Sequence, residues 1–253
     1  MKKYFFILAA TAFSLITSVN TSFAQTSAMN NDAKTTADNK LSGNEKKDGW
    51  VLLFDGKTLN GWRTYQHKPS TSWVAENGML VSKADHSATA KHADLITDKE
   101  YGNFELQIDW KIPQKANSGI MYRVTEDQSQ TFESGPEYQL IDDKGYANEI
   151  EPEQASGANY AMNAPSEVAA NPVGEWNHTV IIVNNNHVEH WLNGKKVVEY
   201  ELGSDDWKNR KEKSKWKDAA GYGAAKKGHI ALQESHGVEG DILFKNIKIK
   251  ELK

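Results

Sequence analysis

Apolar and polar residues alternate with a period of two over short runs, and turn dipeptides separate the runs. Phe104, Leu106, Ile108 and Trp110 alternate with Glu105, Gln107 and Asp109, which predicts a half-buried strand. Trp73–Ala75 and Met79–Val81 flank Asn77-Gly78 and predict a hairpin. Trp176–Val183 and His187–Leu192 predict strands around Asn184-Asn185-Asn186, and Val197–Leu202 returns after Asn193-Gly194. His229–Ser235 and Ile242–Leu252 close the chain as strands. In the last of these the apolar positions change parity around Lys245-Asn246, which predicts a bulge. Ser204–Lys227 is the one plausible helix or long excursion, and Gly145–Asn171 reads as a long loop. The pattern predicts an all-β fold, two antiparallel sheets packed face to face.

Two further runs, Asn117–Arg123 and Gly135–Asp142, read as strands with chemically different faces. Residues two apart share a strand face. Tyr138 and Leu140 therefore oppose Glu137 and Gln139, and Ile120 and Tyr122 oppose Met121 and Arg123. If the two strands are neighbours, Arg123, Glu137 and Gln139 fall on one sheet surface, a set suited to sugar recognition and acid–base work.

The N-terminus adds an address. Lys2 and Lys3 precede the apolar run Tyr4–Ile16, and Ser22-Phe23-Ala24 supplies small residues for cleavage. Residues 1–24 are expected to be a signal peptide, so export to the periplasm or the extracellular space is expected. Residues 25–48 are almost devoid of apolar content and are expected to form a flexible linker, leaving 49–253 as one domain. The chain has no cysteine, which excludes disulfides and a lipidated cysteine anchor. No membrane span is expected, because the apolar run is too short. The net charge of −4 includes the basic leader and argues against nucleic-acid binding. The basic run Lys208–Lys217 reads as a solvated loop or helix face.

An ordered set of motifs carries a family resemblance. Leu52–Trp62 (LLFDGKTLNGW), Tyr101–Leu106, Asn117–Arg123 and Glu137–Asp142 form its first half. Gly174–Asn177, His190–Gly194, Gly228–Gln233 and Phe244–Ile249 complete it. The chain resembles the 3-keto-disaccharide hydrolase domain family, once a domain of unknown function. That resemblance implies a concanavalin A-like jelly roll and cleavage of glycosides already oxidised at C3. It also implies an upstream sugar 3-oxidoreductase, which would supply the 3-keto sugar.

A C3 ketone acidifies the C2 proton, because the carbanion is an enolate. Cleavage then needs a base near C2, a donor or cation at the C3 oxygen, and a proton source for the leaving group. Within the matched motifs, Glu137 and His190 are the candidates for base and acid, and Arg123 for enolate stabilisation. Asn117, Gln139, Gln233, Glu234 and Trp191 are candidates for holding the sugar. His190 also shares strand parity with Val188 and Leu192, which would make it a core residue and turn His187, Glu189 and Trp191 to the ligand. A divalent metal ion is left open as a cofactor. The eight histidines form no compact ligand motif, and His190, Glu137 and Glu234 or His236 would converge only through the fold.

Two alternatives stay open. Retaining glucanases on this scaffold place two carboxylates about 5 Å apart. Here the comparable positions read Glu137, Gln139 and Asp142, with an amide in the middle. A non-catalytic carbohydrate-binding module would explain the abundant aromatic residues without any acid–base pair.

Overall fold

The computed structural model describes residues 37–253 apart from 85, 86, 88 and 236–239. The expected leader, the first part of the linker and His236 lie outside the described residues. Thirteen strands and two helices follow in chain order. They are α1 (Gly43–Lys47), β1 (Trp50–Leu52), β2 (Trp62–Thr64), β3 (Trp73–Glu76), β4 (Met79–Ser82), β5 (Leu95–Tyr101) and β6 (Phe104–Lys111). Then come β7 (Asn117–Val124), β8 (Glu137–Ile141), β9 (Asn177–Asn184), β10 (His187–Leu192), β11 (Lys195–Glu201), α2 (Asp205–Lys213), β12 (Gly228–Leu232) and β13 (Ile242–Glu251).

The larger, eight-stranded sheet runs β11-β10-β9-β6-β13-β4-β3, with β1 also paired to β13. The smaller, five-stranded sheet runs β2-β5-β12-β7-β8. All strand pairs are antiparallel. The sheets bury one face each against the other. Phe104, Leu106, Ile108 and Trp110 of β6 meet Ile120, Tyr122, Tyr138 and Leu140 of β7 and β8 in one continuous apolar core. This is the jelly-roll sandwich that the alternation implies.

Both predicted hairpins form. Asn77-Gly78 and Asn193-Gly194 have positive φ at both positions, as two-residue turns between twisted strands require. The predicted bulge is present too: Asn246 has φ 52° and the β13–β6 register shifts between Lys245 and Lys248. Strand β5 was not legible, because its polar stretch Thr97–Glu100 hides the apolar pair Leu95-Ile96. Among the described residues no helix is long and apolar enough to cross a membrane.

The flexible linker expected up to residue 48 is too long by about ten residues. Asn39 exchanges two hydrogen bonds with Asn246 at the bulge, 2.7 and 2.9 Å long. Helix α1 carries a capping box between Ser42 and Glu45, and Glu45 also pairs with Lys248. Composition predicts that this segment builds no core, and it builds none. It is held instead by polar groups that the bulge leaves without ladder partners.

Candidate active site

The outer face of the smaller sheet carries the site. In the β7–β8 ladder Met121 faces Glu137, Gly119 faces Gln139 and Asn117 faces Ile141. Strand alternation then puts Glu137, Gln139, Met121 and Asn117 on the surface that points away from the core. Ala231 of β12 pairs with Met121 and shares this face, as does Gln233 two residues on. Tyr65, Ile96, Met121, Val124 and Ala231 form its apolar floor.

Three side chains on this face are buried with polar atoms unpaired. Glu137 is 4% exposed, Gln139 1% and Gln233 7%. Among the described residues neither the Glu137 carboxyl nor the Gln233 amide makes a hydrogen bond, and the Gln139 carbonyl oxygen has no partner. The Gln139 amide nitrogen donates to Asn117 Oδ1 at 3.3 Å. Buried polar atoms are nearly always satisfied, and the Gln139 carbonyl oxygen is not; with the unbonded Glu137 and Gln233 side chains on the same face it marks a place suited to a polar ligand.

Space for the carboxyl comes from Gly119. A Cβ there would lie 2.2 Å from Glu137 Oε1. Burial pushes the Glu137 pKa up to about 8; the nearby Lys215 opposes this and the Asp94 carboxylate adds to it. Asp94 accepts from the Glu234 backbone N–H at 3.1 Å and from the Thr131 hydroxyl. Glu234 itself accepts from Ser72 Oγ at 2.9 Å and lies 3.0 Å from His92 Nδ1. It borders the site with a carboxylate already engaged.

The long loop after β8 completes the wall. Its 157–160 stretch bonds along the free edge of β8: Gln139 N–H donates to Ala158 O at 3.1 Å and Tyr160 N–H to Glu137 O at 3.0 Å. This covers an exposed strand edge and bonds the Tyr160 backbone to that of Glu137. Tyr160, Phe132 and Trp216 surround the Lys215 ammonium, with ring centroids 4.3, 5.7 and 4.3 Å away. A cavity of about 370 Å³ opens on the Lys215 side, lined also by Gln154, Met162, Arg210 and Lys213. A larger one of about 560 Å³ lies against Asp55, Lys111, Trp176 and Lys245. Neither cavity is lined by Glu137, Gln139 or Gln233; the site is placed on their shared sheet face, which the Lys215 cavity approaches through Tyr160 and its neighbours.

Residues 49–250 match the sequence profile of the 3-keto-alpha-glucoside-1,2-lyase-like domain. The chain belongs to this family. A 3-keto-disaccharide hydrolase of Bacteroides thetaiotaomicron is 32% identical to this chain over 232 residues, 81% of this chain and 79% of that one. A crystal structure from Parabacteroides distasonis, of a protein assigned to the glycosyl hydrolases, superposes with a TM-score of 0.78 at 39% identity. It covers 86% of this chain and all of that one. A second such structure from the same organism gives 0.61 at 30% identity, over 80% and 99% of the chains.

Several expected site residues of the lyase-like domain lie elsewhere. Arg123 does not face Glu137. Its φ of 54° breaks the alternation of β7, and the guanidinium turns to Gly102 O, Asn103 Oδ1 and Asn185 O at 2.8–3.4 Å. Gly228 makes room for that distortion, since a Cβ there would lie 2.4 Å from the Arg123 carbonyl carbon. Arg123 therefore ties the β5–β6 connection between the two sheets to the β9–β10 turn, with one nitrogen, Nη1, left unpaired.

His190 is a core residue, fully buried between Tyr122, Tyr138 and Tyr200. Its Nδ1 lies 3.0 Å from Gly157 O, which only accepts, so Nδ1 carries the proton. Nε2 then accepts from Tyr122 OH at 2.9 Å, and Tyr122 accepts from Tyr200. Burial holds the His190 pKa down at about 4. Trp191, next in sequence, projects from the opposite surface of the sandwich, where its indole donates to Glu189 at 2.7 Å. His187, Glu189 and Glu199 gather there, their ligand atoms within 4.8 Å of one another. His190 is enclosed in the core while Glu137 points to the outer face, so the convergence of His190, Glu137 and Glu234 left open in the sequence does not occur among the described residues.

The glucanase pattern is incomplete in space as in sequence. Asp142 accepts from Lys115 N–H and Gly145 N–H, both at 2.9 Å, and acts as a turn carboxylate. Lys215, Asp94 and the aromatic cage were not legible as site residues. The one local hint was Trp216, a large apolar residue inside an otherwise basic run.

Proposed function

We propose that this protein cleaves glycosides that carry a ketone at C3 of the sugar, with Glu137 as the base at C2. The observation that carries the reading is the Glu137 carboxyl, 4% exposed as a residue and without a hydrogen bond, on the same face as the unpaired Gln139 carbonyl oxygen and the unbonded Gln233 amide. A carboxylate deprived of water and of hydrogen-bond donors is a stronger base than a solvated one. Proton transfer from C2 to Glu137 leaves an enolate. Its electrons then form the C1–C2 double bond as the C1–O bond breaks, and the departing oxygen takes up a proton. Addition of water across the new double bond gives net hydrolysis. Gln139, Gln233 and Asn117 offer donors and acceptors to the sugar hydroxyls. Family membership and the Bacteroides relative support a carbohydrate substrate of this class. Export of the mature chain, and supply of the keto sugar by a separate oxidoreductase, belong to the same proposal.

The test is incubation of the purified mature protein with 3-keto-glucosides in D₂O, followed by NMR. Cleavage with deuterium uptake at C2, lost in Glu137→Gln, is the expected result. Binding of the sugar with neither exchange nor cleavage would overturn the reading in favour of a carbohydrate-binding module.

A further inference from the structure

Lys215 follows α2 on a turn that the sequence presents as solvated. Its surroundings differ from those of many other lysines, and among the described residues no other ammonium lies over three rings. Lys83, Lys115, Lys195, Lys196, Lys208 and Lys248 each pair with a carboxylate. Lys215 forms no ion pair among the described residues, and its ammonium rests instead among three aromatic rings. The rings are fixed. Trp216 is buried and its indole donates to Tyr160 O at 3.1 Å. Behind it Tyr222 stacks at 4.5 Å and Trp207 stacks on Tyr222 at 5.6 Å, anchored in the core. Tyr160 is hydrogen-bonded to the backbone of Glu137 itself. Cage and carboxyl are thus parts of one rigid arrangement. Lys215 is joined to the Glu137 strand through Tyr160, with no ion pair between the two side chains, and each weighs on the other's charge.

We propose that the Lys215 ammonium is the cation that receives the charge developing on the C3 oxygen when Glu137 removes the C2 proton. This rests on the proposed function. In the step, the C2–H bond breaks and its proton goes to Glu137. The C–H electron pair forms C2=C3, and the carbonyl π pair moves onto the C3 oxygen, where a Lys215 N–H donates to it. Collapse of the enolate restores C3=O, forms C1=C2 and expels the C1 oxygen. No oxidant or reductant is consumed. Burial lowers the Lys215 pKa and the Glu137 charge opposes this, while the ring faces attract an ammonium and not an amine. In this proposal Lys215 acts as a charge partner and not as a nucleophile that condenses with the ketone, and borohydride trapping separates the two. The residue as a whole stays exposed, so its N–H groups are open to a ligand on the side the rings do not cover.

The experiment compares wild type, Lys215→Met and Lys215→Arg on an aryl 3-keto-glucoside in D₂O. Exchange at C2 and release of the aryl alcohol are followed separately. Loss of a preorganised charge partner predicts a fall of about 10²–10³-fold in exchange and kcat in Lys215→Met, with KM changed only a few-fold. Lys215→Arg should keep activity within about tenfold of wild type, since the charge survives. Exchange in Lys215→Met within a few-fold of wild type would overturn the role of Lys215 and leave the proposed function standing. Borohydride trapping of a sugar on Lys215 would also overturn it, in favour of an imine. Absence of exchange in wild type itself would remove the proposed function, and this inference with it. Melting temperatures of the three proteins should agree closely, because the stem of Lys215 is at the surface.

Discussion

The Glu137 carboxyl lies over the bare α-carbon of Gly119 on the neighbouring strand. A Cβ at 119 would come within 2.2 Å of its Oε1 and 2.8 Å of its Cγ and Cδ. In Gly119→Ala the carboxyl must swing away, while the β7–β8 ladder itself has no reason to break. We expect kcat to fall at least about tenfold, since small misplacement of a base is costly, with a change in stability of about 1 kcal/mol or less. Steady-state kinetics set beside a thermal melt checks this. Equal, large losses in both would show that Gly119 serves the fold and not the carboxyl.

Glu137 also sets a pH dependence. Its folded pKa of about 8 lies above the 4.5 of an ordinary glutamate, so the folded state holds a proton that the unfolded state gives up. Stability contributed this way is full below about 4.5 and is lost as pH rises toward 8. Glu137→Gln should therefore raise the melting temperature at pH 8 more than at pH 4, by an amount equivalent to roughly 2–4 kcal/mol. In the active protein kcat/KM should climb with pH through about 8, because the base must be ionised. A profile that falls over this range would make Glu137 the acid instead.

Arg123 is predicted to matter for folding alone. Its guanidinium serves Gly102 O and Asn185 O, and Arg123→Ala would leave both carbonyls short of a donor. The expected cost is about 3 kcal/mol of stability. The variant that remains folded should show kcat within a few-fold of wild type. Chemical denaturation and kinetics at low temperature together decide it. A loss of kcat without loss of stability would restore the guanidinium to the reaction.

His190 carries the opposite pH signature. Its pKa is held at about 4 against an ordinary 6.5, so the folded state excludes a proton that the unfolded state binds. Stability from this group is present above about 6.5 and is lost as pH falls toward 4. His190→Asn should flatten that acid limb in a pH series of melts. It should also cost about 2–4 kcal/mol at neutral pH, because Gly157 O and Tyr122 lose partners inside the core.

Much of the scaffold was legible along the chain. Strand β6 declares itself by strict alternation, β9 to β11 by their turn dipeptides, and β13 by a parity change that marks a real bulge. These features depend on a residue and its near neighbours, and local sterics and period-two geometry translate them directly. The same rule put Glu137 and Gln139 on one face and Tyr138 and Leu140 on the other, as found.

The rule failed where one residue left the extended region. At Arg123 a positive φ turned the side chain out of the shared face, and nothing in Asn117–Val124 announces that. His190 obeyed its parity and went into the core; motif membership had suggested the ligand side.

The sequence by itself determined the sandwich, the turns, the bulge and the orientation of the Glu137 strand, because each follows from short-range backbone geometry and apolar period. Only the tertiary structure decided which polar groups meet. Lys215 sits against Tyr160, which bonds to the Glu137 backbone, from a turn far along the chain, and Gln233 follows the end of a third strand. Burial then gives the carboxyl its raised pKa. Those are consequences of long-range packing and desolvation, and no local pattern encodes them.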